Sequence, residues 1–90
     1  MKYMIDLIKN DVKQRINKSF PNVRVLPVNL HEDVNDITIF VFDVPEEQVE
    51  EVRNFILDLD IELGNKHNIV LTPQVKSEEI TRKYYSAIPH

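Results

Sequence analysis

The side chains able to do chemistry are few, and most of them crowd into one stretch. His31, Glu32, Asp33 and Asp36 fall within a single polar segment that holds no glycine. Imidazole and carboxylate groups suit zinc, manganese or magnesium. A metal needs its ligands held on a rigid frame, however, and four polar residues in one surface loop are ordinarily solvated. Asp43 adds a carboxylate, so a metal-dependent enzyme drawing on Asp36, Asp43, Glu32 and Asp33 is one arrangement these residues allow. His67 and His90 stand alone and read as surface residues. Ser19, Ser77 and Ser86 have no histidine and acid beside them, and nothing points to a nucleophile–base–acid triad. The one glycine, Gly64, is expected to end a helix, which leaves none for a phosphate-cradling loop. With no cysteine, a disulfide scaffold, a cysteine-ligated zinc and a thiol nucleophile are all excluded.

Ninety residues make one small domain, 1–90, with no room for a second core. Hydrophobic residues at 42% and charged residues at 29% belong to a folding chain rather than a disordered one. The longest apolar run, Ile37 to Phe42, is too short to span a bilayer. No basic-then-apolar leader precedes it, and a cytoplasmic location is expected. The net charge of −4 hides an asymmetry. Six basic groups oppose two acids over residues 1–30, whereas eleven acids oppose Arg53 alone over residues 31–63. Basic and acidic elements that lie side by side would simply attract across solvated faces. The basic block is confined to one helix, not spread as the stripe that phosphate neutralisation requires, so nucleic acid is not an expected partner.

Positioning follows from periodicity. Ile5, Ile8, Val12 and Ile16 recur at three and four residues, which predicts an amphipathic helix from Met4 to Phe20, ended by Pro21. Val23 to Val28 reads as a strand, with Pro27 marking a sheet edge or bulge. Asp36 to Phe42 is the best strand: Ile37, Ile39 and Val41 fill one face, Thr38, Phe40 and Phe42 the other. Asp43-Val44-Pro45-Glu46-Glu47 looks like a helix start, with Asp43 capping. The helix would carry Val49, Val52, Ile56, Leu59 and Leu63 inward and stop at Gly64-Asn65. Asn68 to Thr72 predicts a third strand ended by Pro73. Ser77 caps a last helix, Glu78 to about Ala87, whose Ile80, Tyr84 and Ile88 share a face. The order α-β-β-α-β-α predicts an α+β two-layer α/β sandwich. A short β–β loop favours an antiparallel pair and the helical crossover a parallel one, so the three-stranded sheet is mixed.

Two stretches carry a resemblance. One is Asp36-Ile37-Thr38-Ile39-Phe40-Val41, and the other is Leu71-Thr72-Pro73-Gln74-Val75-Lys76-Ser77-Glu78-Glu79. With the helix–strand order around them, from about Leu7 onward the chain resembles the small nucleotidyltransferase domains of the DNA polymerase β type. In that family a Gly-Ser turn precedes a strand beginning Asp-x-Asp, and the segment after the next strand reads Ser-Pro-x-Val-x-Ser-Glu-Glu-Glu. The resemblance implies a nucleotidyltransferase-like fold in which carboxylates on neighbouring strands hold two magnesium ions against a triphosphate. Here the first acid matches Asp36, the second position is Thr38, the third falls near Asn68, and no Gly-Ser turn lies between Leu26 and Asn35. One carboxylate of three would leave two cations under-neutralised.

The expectation is therefore a catalytically inactive nucleotidyltransferase-like domain, a pseudoenzyme acting as a protein-interaction module, with Asp36 as the remnant of the site. No catalytic residue, cofactor or bound metal is assigned. The partner is another protein or a second copy of the chain, with no membrane involved. Contact would fall on Phe40, Phe42 and the acidic Glu47, Glu50 and Glu51, unless the terminal helix covers the two rings through Tyr84 and Ile88. The alternative is a metal-dependent nucleotidyltransferase with a divergent site centred on Asp36, and a small RNA-binding domain is a third reading that lacks the aromatic and basic interleaving it needs.

Overall fold

The computed structural model describes residues 2–30 and 35–85. The stripe Ile5, Ile8, Val12 and Ile16 forms the inner side of α1 (Lys2–Ser19), with the last three buried. Phe20 leaves the helix ahead of Pro21, although its amide still donates to the Ile16 carbonyl at 2.7 Å. The Asn17 side chain then donates to the carbonyls of Phe20 (3.4 Å) and Val23 (2.9 Å), which holds the reversal into β1 (Arg24–Val28).

The apolar run forms β2 (Asp36–Val44), the middle of a three-stranded sheet ordered β1-β2-β3. β1 pairs with it antiparallel, and β3 (Val70–Ser77) pairs with it parallel after the crossover helix α2 (Val49–His67). A short helix, α3 (Glu78–Tyr84), follows. The fold is thus α+β, in the order α-β-β-α-β-α, with a mixed sheet. α1 and α2 lie on one face: Ile8, Val12 and Ile16 meet Val52, Ile56, Leu59 and Leu63 over Ile37, Ile39 and Val41 of β2. Each aliphatic side chain fully removed from water there contributes roughly 1.5–3 kcal/mol. Phe20 and Phe55 close one end of the layer edge to face, their centroids 5.7 Å apart. Among the described residues, no helix is long and apolar enough to cross a membrane.

Four local expectations are corrected. Asp43 does not cap a helix: β2 continues to Val44, and the helical path resumes with a single tight turn at Glu46–Gln48 before α2. Asp43 adopts a left-handed backbone (φ 62°) at a break in register between Val41 and Val44. This bulge shifts the alternation so that Val44 joins the same core as Val41. Gly64 does not end α2 either; Asn68 does, left-handed at φ 55° with its amide bonded to the Gly64 carbonyl. Glycine is needed at 64 because a Cβ would lie 2.8 Å from the Ile69 carbonyl oxygen. Pro73 sits inside β3 instead of ending it, because on an edge strand its missing amide costs no ladder bond. Finally, the Ile80–Tyr84 face of α3 does not turn inward. α3 lies on the far face of the sheet, where Thr81 packs inward while Ile80 and Tyr84 stay exposed, at 39% and 66%.

Candidate functional site

The face of the sheet turned away from α1 and α2 carries the residues the sequence singled out on β2. Alternation places Asp36, Thr38, Phe40 and Phe42 there. Register adds the flanking rows Val28–Thr38–Thr72, Leu26–Phe40–Gln74 and Arg24–Phe42, with Val70 beside Asp36. The face is polar at the Asp36 end, apolar in the middle and covered at the Phe42 end.

At the first end the Asp36 carboxylate accepts a hydrogen bond from the Thr72 hydroxyl at 3.2 Å. Thr38, in register with Thr72, is buried. The β3 neighbour of the Asp36–Thr38 pair is therefore Thr72. Asn68, where the sequence placed the third acid position, lies outside β3 and caps α2, and its carbonyl accepts from the Asn35 side chain at 3.3 Å. Asp43 sits seven residues further along β2, roughly 20 Å from Asp36 at the usual rise per strand residue. Its carboxylate faces Arg24 at 3.9 Å. Asp36 and Asp43 therefore do not share an ion, which corrects the four-acid arrangement. His31, Glu32 and Asp33 lie outside the described residues; among those described, no three histidines or acids come together as a metal site. The Ser77 hydroxyl is committed to capping α3, accepting the Ile80 amide at 3.2 Å.

In the middle of the face Leu26 is 44% exposed beside the half-buried Phe40. At the far end Phe42, 1% exposed, offers no surface. Its ring stacks beside Phe40 at 6.1 Å and is overlaid by Tyr85 at 5.0 Å, and the Arg24 guanidinium lies 5.0 Å from its centroid. The cover is thus Tyr85, with Lys76 beyond it, 5.9 Å from the Tyr85 ring. Tyr84 plays no such part, and Ile88 lies outside the described residues. Glu47, Glu50 and Glu51 are exposed, but on the helix side of the molecule, with Glu50 paired to Arg53. The structure therefore does not bring the acidic trio and the two phenylalanines onto one surface.

Each edge of the sheet is interrupted by a proline. Pro27 on β1 and Pro73 on β3 flank Ile39 in the same row, and neither has an amide to offer. On β3 the Leu71 amide is bound by the Asp60 carboxylate of α2 at 2.8 Å. Thr81, Tyr85, Thr72 and Leu26 were not picked out from sequence. Ser77, Thr81 and Tyr85 recur every fourth residue, a signal that the more apolar Ile80–Tyr84 pair masked. The chain matches no family model, no curated protein and no solved structure.

Proposed function

We propose that this chain is a catalytically inactive, nucleotidyltransferase-like domain that works by binding another polypeptide on the open face of its sheet. One observation carries the reading: Leu26 of β1 and Phe40 of the central β2 form an apolar centre left accessible on the face of a sheet whose two edges are blunted. A partner that cannot add a strand can still lie across the face, where aromatic and aliphatic anchors supply most of the affinity of an interface. The chemistry at the Asp36 end supports binding over catalysis. A carboxylate bonded to one threonine and next to another supplies a single negative ligand, where two magnesium ions and a triphosphate call for several.

The test pairs two variants that leave the core intact. Leu26→Glu places a charge in the centre of the face, and Ile61→Glu places one on the exposed side of α2 as a control. Sedimentation and cross-linking of the purified chain, alone and with candidate partners, should show an association that Leu26→Glu abolishes and Ile61→Glu spares. Association insensitive to Leu26→Glu but lost on reversing Glu50 and Glu51 would move the contact to α2. A saturable rise in melting temperature with magnesium and a nucleoside triphosphate, removed by Asp36→Ala, would overturn the inactive reading.

A further inference from the structure

Among the described residues, α3 is held to the sheet by few side chains. It has seven residues, too few to hold a helix by itself, and Thr81 is its buried residue while Ile80 and Tyr84 face out. Among the described residues, the side chains that tie it to β2 are one hydroxyl and one ring. The Thr81 hydroxyl accepts the Asp43 amide at 2.8 Å and donates to the Ser77 carbonyl at 2.7 Å. The Asp43 amide is free for that bond because this residue is left-handed at the register break of β2. The ring is Tyr85, which lies over Phe42. Beneath it, Phe42 stands apart from the main core, which is built by α1, α2 and the other face of the sheet.

We propose that α3 is a hinged cover: it detaches as a unit about Ser77 while the sheet, α1 and α2 stay folded. Open, it bares Phe42 beside the nearly parallel ring of Phe40 (interplanar angle 5°) and extends the apolar centre at Leu26 into an aromatic strip. The inference rests on the open face being the contact surface, and it adds how that surface is regulated. The left-handed Asp43 is the stressed part of the latch, since aspartate reaches that backbone region only at a cost. Opening leaves that bulge and its core residue Val44 in place, whereas breaking the α1 or α2 packing would expose fully buried stripes.

Amide hydrogen exchange on the full chain tests the cover without any partner present. The amides of Asp43, Ile80 and Tyr85, which bond within or to α3, should exchange at least about 100-fold faster than those of Ile37, Ile39 and Val41, as local opening does relative to global unfolding. Thr81→Val keeps the side-chain shape and removes both hydroxyl bonds. It should speed the Ile80 and Tyr85 amides, whose own bonds it leaves in place, by about fivefold more and leave the second set unchanged, since a lost bond is worth on the order of 1 kcal/mol. Tyr85→Ala, which removes the ring and keeps the Thr81 hydroxyl, should release the Ile80 amide and that of residue 85, and serves if the threonine variant does not fold. Equal exchange rates for α3 and the central strand would overturn the proposal, as would a threonine or tyrosine variant that accelerates both sets together. Either result would leave the binding face itself to be judged by Leu26→Glu.

Discussion

Replacing Asp60 tests how the free edge of the sheet is held. Its carboxylate accepts the Leu71 amide at 2.8 Å, tying α2 to the start of β3. A hydrogen bond to a charged acceptor contributes roughly 1.5–3 kcal/mol. In Asp60→Ala the amide loses that partner, but β3 is an edge strand and water reaches part of the vacated space, so the lower half of the range applies. Alanine favours a helix interior over aspartate by several tenths of a kcal/mol, which offsets some of the loss. The expected net cost is about 1–1.5 kcal/mol, or roughly 4–12 °C in Tm for a domain of this size. Urea unfolding is the assay: the midpoint should fall while the slope stays constant, which reports stability without a change in exposed surface. Asp60→Asn keeps an acceptor oxygen and should recover at least half of the loss. Asp58→Ala, exposed on the same helix, should stay within about 0.5 kcal/mol of the parent. The reasoning fails if Asp60→Ala costs no more than Asp58→Ala, or if asparagine is as damaging as alanine.

Two further outcomes follow from the helix layer. Gly64→Ala should destabilise the protein although 64 is a helix interior, because the added Cβ meets the Ile69 backbone oxygen at 2.8 Å and the backbone must yield. The usual gain of about 1 kcal/mol for alanine over glycine in a helix should be absent, and a raised Tm would contradict the close approach. Arg15 bridges α1 to Glu62 of α2 at 2.6 Å and to Asp11 at 3.2 Å. Glu62, and after it Asp11, hold the Arg15 guanidinium above its ordinary pKa. A base so raised contributes stability that is present below its unfolded pKa and lost only as pH climbs through the folded one. That window is strongly alkaline, so this group adds no pH dependence near neutrality. Glu62→Gln should cost less than about 1 kcal/mol, since both side chains are substantially exposed, and the cost should vanish in about 1 M salt. A loss that persists in salt would mean the contact is packing instead of charge.

The candidate face was only half legible from the sequence. Alternation along β2 put Asp36, Thr38, Phe40 and Phe42 together, because a strand sends every second side chain the same way. It did not distinguish Phe40 from Phe42, since the difference lies in what comes over them from forty residues later. Tyr85 reaches Phe42 because α3 folds back across the end of the sheet, and that path depends on the Thr81–Asp43 bond. No local preference of either residue announces the bond. In the same way Thr72 becomes the neighbour of Asp36 only through parallel register.

Read as a string, the residues by themselves determined the number, order and type of the elements, because helical and strand spacing of apolar side chains is a local pattern driven by burial. They also supplied the mixed sense of the sheet, through a short β–β loop and a helical crossover. Tertiary structure decided where each element stopped. The Asp43 bulge, the glycine carried inside α2 and the proline carried inside β3 all go against local preference. Each is tolerated because of what lies against it in three dimensions: Thr81 beside the bulge, the Ile69 carbonyl folded back over the glycine, the open side of an edge strand next to the proline.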